Sequence, residues 1–134
     1  MTTKDFIEAF KAAVETRREG GPYTPTGVVE QWEQIVSMIE AGYDDSIYEY
    51  DNDLSVRNLL AELLEDPLIQ AHAESAWVTE TVDALDKRLR AVMTDQPIRD
   101  VQGPWWRSHL PIIASAEFAD DLQNLYGYKV PRVV

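Results

Sequence analysis

The sequence predicts an all-α fold, a compact bundle of about five helices forming one domain over residues 1–134. Apolar residues recur every three to four positions along nearly the whole chain, the period of a helix buried on one side. Thr, Ser or Asp stands ahead of most of these runs and Gly or Pro behind them, the punctuation of helix starts and stops. The chain is also long enough, at 134 residues with 45% apolar, to bury its own core. It shows no internal repeat, low-complexity segment or linker that would divide it.

Phe6, Ile7, Phe10 and Val14 form the first helical stripe, with Thr2 or Thr3 as cap and Gly20-Gly21-Pro22 as terminator. A second helix capped by Thr26 carries Val28, Val29, Trp32, Ile35, Val36 and Ile39, and Gly42 sits at the left-handed position after it. Tyr43 to Asp53 lack a period and read as a loop, with Ile47, Tyr48 and Tyr50 as a very short extended piece near 47–50. The third helix carries Val56, Leu59, Leu60, Leu63 and Leu64. Asp66-Pro67 then reads as a cap followed by proline at the first helical position, where no N–H is needed. One long fourth helix is predicted from Leu68 to Met93, with Val78, Val82, Leu85, Leu89 and Val92 spaced four and three apart. Pro97, Gly103, Pro104 and Pro111 break the following stretch around Trp105-Trp106, and a fifth helix spans about Ser115 to Tyr126 before Gly127.

Charge excludes several functions. The net charge is −12 and the isoelectric point about 4.4, which opposes binding to nucleic acid or to an anionic membrane surface. The absence of cysteine removes disulfides, thiolate metal sites and cysteine nucleophiles. Met1 to Asp5 lead straight into the first amphipathic pattern, and no run approaches the ~18 apolar residues of a spanning helix. A cytoplasmic location is the expectation.

The excess charge is local. Residues 30–66 hold eleven acids against one base, Arg57, for a net of −10. Tyrosines are interleaved with those acids in the run from Tyr43 to Asp53. Tyrosine is enriched where interfaces gain their affinity, and carboxylates beside it steer a basic partner. Tyr43, Asp44, Asp45, Tyr48, Glu49, Tyr50, Asp51 and Asp53 are therefore the candidate partner-binding residues. The competing reading is a merely solvated loop whose phenol rings turn into the core. In size, charge and texture the chain resembles immunity proteins that neutralise basic bacterial nuclease toxins, a resemblance that carries over no individual residue. The expected function is a non-enzymatic acidic module that binds a basic protein. A small hydrolase or transferase using carboxylates, His72 or His109 is the alternative. A self-associating helical module built on Trp105-Trp106, and hence a homo-oligomer, is the second.

Chemical motifs are sparse. Asp51, Asp53, Ser55 and Glu62 match positions 1, 3, 5 and 12 of a calcium loop, but Val56 occupies the position that needs glycine, so Asp51, Asp53 and Ser55 read better as helix caps. His72 and Glu74 form His-x-Glu without the cysteines of a zinc deaminase. Ser108 and His109 are adjacent, and neighbours in sequence rarely face each other. Gly20-Gly21-Pro22 follows a helix and lacks the lysine of a phosphate loop. Trp105-Trp106 reads as a plug sealing the bundle. No cofactor or metal is expected.

Overall fold

The computed structural model describes residues 3–18 and 23–133. Among them are seven helices and no strand: α1 (Lys4–Glu15), α2 (Pro25–Glu40), α3 (Ile47–Glu65), α4 (Pro67–Gln70), α5 (Ser75–Arg90), α6 (Trp105–Ser108) and α7 (Ala116–Tyr126). The all-α class stands, and the count of five is corrected. The terminator predicted at Gly20-Gly21-Pro22 lies outside the described residues, as does Thr2.

Local chemistry accounts for most boundaries. Thr3 caps α1, its Oγ1 accepting the Phe6 N–H. The second helix starts earlier than predicted. Thr24 is its cap, with Pro25 in the first turn, the same arrangement read correctly at Asp66-Pro67, where Asp66 Oδ1 accepts the Leu68 N–H at 2.9 Å. Gly42 has φ +92° and Gly127 φ +66°, both left-handed, so each ends a helix where a side chain would be strained.

The segment read as a loop and short extended piece is the first part of α3. Ser46 is the cap and its Oγ accepts the Glu49 N–H, the first half of a Ser-x-x-Glu capping box. Asp121 on α7 accepts the Ile47 N–H at 2.9 Å and satisfies another free donor of that end. Ile47, Tyr50 and Leu54 extend the buried stripe of α3 back to its start. Helix α3 is the hub of the fold, touching α1, α2, α4, α6 and α7.

The predicted long fourth helix is two helices. Residues 71–74 form a tight turn with three-residue hydrogen bonds, Ser75 N–H to His72 O among them. No proline or glycine causes this break. The His72 ring packs 5.7 Å from Phe6, and the Glu74 carboxylate accepts the Thr3 N–H at 2.8 Å. Both contacts tie the turn to α1 and its cap.

The core joins Phe6 and Phe10 of α1 to Trp32 of α2, Leu54 and Leu60 of α3, Val82 and Leu89 of α5, and Phe118 of α7. Trp106 is buried against it, its Nε1 donating to Asn58 Oδ1 at 2.6 Å and its ring lying 4.1 Å beneath the Arg57 guanidinium. Trp105 is half-buried, with Arg90 stacked 4.0 Å over its ring. No helix among the described residues is long and apolar enough to cross a membrane.

Candidate functional site

The turn that follows α2 and the first part of α3 carry the eight sequence-predicted residues, and the structure divides them. Tyr43 and Tyr50 are buried. With Phe118 they form an aromatic trio whose ring centroids lie 4.6–5.2 Å apart. Both rings therefore hold the turn to α7 instead of facing a partner. Asp51 and Asp53 are half-buried and engaged inside the molecule. Asp51 accepts a 2.6 Å hydrogen bond from Arg99 Nη2, and Asp53 accepts one of 2.7 Å from the Tyr43 hydroxyl. Asp44, Asp45, Tyr48 and Glu49 face outward, with Tyr48 78% exposed.

Burial sets the electrostatics of this turn. It pushes the phenols of Tyr43 and Tyr50 well above the ordinary tyrosine range, and the hydrogen bond to Asp53 adds to the effect at Tyr43. Groups whose pKa is raised on folding contribute stability below the unfolded-state value of about 10, and that stability falls as pH rises beyond it. An ultraviolet titration of the six tyrosines should therefore show a late phase that coincides with loss of near-ultraviolet circular dichroism. A single reversible step with the fold intact would refute the buried placement.

The local charge of −10 is partly spent within the fold. Glu40 meets Arg88 at 2.6 Å, and Asp66 meets Arg17 at 2.9 Å with Glu62 at 3.9 Å from the same arginine. The Arg88 hydrogen bond holds Glu40 below the usual carboxylate range. The Leu68 N–H, with Arg17 in support, does the same for Asp66. Asp44, Asp45 and Glu49 have no arginine or lysine within ion-pair distance among the described residues. Asp45 uses Oδ1 to accept the Ser46 N–H at 2.7 Å.

Beside these carboxylates runs a groove of about 470 Å³ lined by Met38, Ala41, Gly42, Asp44, Asp45, Ser115 and Val133. The sequence pattern brought out Asp44 and Asp45 but missed the other wall, which comes from Ser115 and Val133, seventy or more positions away. Backbone hydrogen bonds assemble that wall. Val133 N–H donates to Ala114 O at 2.8 Å, Ala114 N–H to Pro131 O at 3.1 Å, and Ser115 Oγ to Tyr43 O at 2.7 Å. Gly42 permits the close approach, since a Cβ there would lie 2.1 Å from Val133 Cγ2. Its conformation and its lack of a side chain are both required.

The histidines lie elsewhere. His109 lines a separate cavity of about 160 Å³ with Arg90, Met93, Thr94, Asp95 and Trp105. Its Nδ1 is 2.7 Å from Thr94 O, and the neighbouring Ser108 is buried. Asp51, Asp53, Ser55 and Glu62 all lie inside α3, so the cap role read for the first three belongs to Ser46. Among the described residues no three His, Asp or Glu side chains are grouped to hold a metal ion. Comparison with known proteins returns no match to a family model, a curated protein or a solved structure.

Proposed function

We propose that this chain is a non-enzymatic binding module for a basic protein, of the kind exemplified by immunity-type inhibitors of basic toxins. The recognition face is Asp44, Asp45, Tyr48 and Glu49. The observation that carries this reading is the set of three outward carboxylates without an internal cation, beside an exposed tyrosine and an open apolar groove. Carboxylates used for internal structure are paired, as Glu40, Asp51 and Asp66 are. Those left unpaired repel each other and are satisfied by water or by a cationic partner.

The test is the association rate of the purified partner, first isolated on the immobilised chain from the source cells, measured across ionic strength. Steering by this face should make association about tenfold slower between low and high salt. The variant Asp44→Asn/Asp45→Asn/Glu49→Gln should show the slow rate already at low salt. A salt-independent rate, or an unchanged rate in that variant, overturns the assignment. Asp51 is left out of the substituted set because its loss would disturb the fold.

A further inference from the structure

We infer that the groove beside Gly42 seats an arginine or lysine side chain of the basic partner, a reading that rests on the proposed binding role and names what the partner presents. Met38, Ala41, Gly42 and Val133 supply apolar surface, and Asp44 and Asp45 supply two carboxylates at the same opening. Met38 is 45% and Val133 43% exposed, so much of this apolar lining is left in water. Long cationic side chains combine an aliphatic stem with a charged head, and they lie along apolar surface with the head held at a polar rim. That division matches the groove.

Charge selects among occupants. An apolar side chain would cover Met38 and Val133 but would also strip water from two carboxylates without returning a hydrogen bond. An acidic one would add repulsion. A guanidinium or ammonium replaces the lost water with charge-assisted hydrogen bonds, and a planar guanidinium can meet a carboxylate with two. Among the described residues no lysine or arginine lines the groove. The walls are also formed in advance, because residues 43, 114–115, 131 and 133 are tied by backbone and Ser115 hydrogen bonds, which lowers the ordering cost of binding.

The chain contains three methionines, which makes the groove readable. Methyl-labelled methionine gives separate NMR signals for Met38, on the groove, and Met93, which is buried. The probe is a blocked tetra-arginine peptide, with its citrulline counterpart as the uncharged control. The arginine peptide should shift the Met38 methyl saturably and leave Met93 in place. The citrulline peptide should produce no saturable shift. Asp44→Asn/Asp45→Asn should weaken the response about tenfold or more, and the asparagine at 45 keeps an acceptor for Ser46. Ala41→Leu, at an exposed helix end, fills the groove without changing charge and should abolish the Met38 response.

An unmoved Met38, an equal shift from citrulline, or a full response in Ala41→Leu would overturn the inference. If association with the native partner stays salt-dependent and undiminished in Ala41→Leu, the groove assignment alone fails. If that association is independent of salt, the binding role fails with it.

Discussion

Replacing Arg57 with methionine is expected to destabilise the protein by about 3–5 kcal/mol, the cost of leaving a buried charge without its partner. Arg57 on α3 and Asp86 on α5 are both buried. Arg57 Nε lies 3.1 Å from Asp86 Oδ1 and Nη2 lies 2.9 Å from Oδ2, a two-point pairing. The same carboxylate accepts the Trp32 Nε1–H at 3.2 Å, and the Arg57 guanidinium covers the Trp106 ring. One ion pair thus joins α2, α3, α5 and α6. The pair need not be a net source of stability against an apolar core, because removing two ions from water costs several kcal/mol each. Arg57 Nη1 has no hydrogen-bond partner among the described residues, so part of that cost is uncompensated. Breaking the pair is a different matter. Methionine fills space but leaves the Asp86 carboxylate with only the Trp32 donor. Asp86→Leu strands the guanidinium and the indole N–H together. The double variant Arg57→Met/Asp86→Leu should therefore lose clearly less than the sum of the two single losses, since no buried charge remains. Urea unfolding midpoints of the four proteins check this. Single losses below about 1 kcal/mol would mean that the pair behaves as an exposed one.

Sequence periodicity was enough for the helical class because it depends only on neighbours three and four residues away. Phe6–Phe10, Val28–Trp32–Ile35 and Val78–Val82–Leu85–Leu89 all face the core as their spacing requires. The start of α3 was legible too, in Ser46-x-x-Glu49 and in the Ile47–Tyr50–Leu54 stripe. The acidic and aromatic texture of residues 43–53 obscured it. Tyrosine suits an interface and a core equally well, and the contacts that show Tyr43 and Tyr50 turned inward include Phe118, which lies far along the chain. The break at residues 71–74 is marked by no proline or glycine, and the contacts that hold the turn come from Phe6 on α1 and from its cap Thr3, far away in sequence. Charge counting located the acidic segment correctly and overstated its free charge. Its ion pairs reach arginines far along the chain, Glu40 to Arg88 and Asp51 to Arg99, each 48 residues apart. No window of sequence contains such a pair. The groove is hidden for the same reason, being assembled from α2, the following turn, Ser115 and Val133.

Asp51 is where the structure assigns a different task from the one its neighbours in sequence suggest, and its replacement is expected to show this without any partner present. Asp51→Ala should cost about 2–3 kcal/mol, the range for a lost charge-assisted hydrogen bond that leaves its partner buried. The Arg99 side chain is 5% exposed and that of Asp51 38%, so solvent reaches one side of the pair and keeps the loss below that of a fully buried pair. Burial works against the Arg99 charge, yet hydrogen bonds to Asp51 and the Tyr126 hydroxyl outweigh it and hold its pKa above the ordinary arginine value. Arginine cannot escape by neutralising, so the cost must appear as lost stability. Arg99 Nε also donates to Arg107 O at 2.7 Å, and Arg107 lies 3.8 Å from the same aspartate. Asp51 therefore clamps the irregular stretch between α5 and α7 onto α3. Amide hydrogen exchange should accelerate most at Ile98 and Arg99, whose N–H groups both donate to Ser108 O. Asp51→Asn keeps one acceptor for Arg99 and should fall between wild type and alanine. Asp44→Asn and Asp45→Asn, on the open face, should leave both stability and exchange nearly unchanged. If Asp51→Ala matched those two surface variants, the clamp would be refuted and Asp51 would return to the set available for a partner.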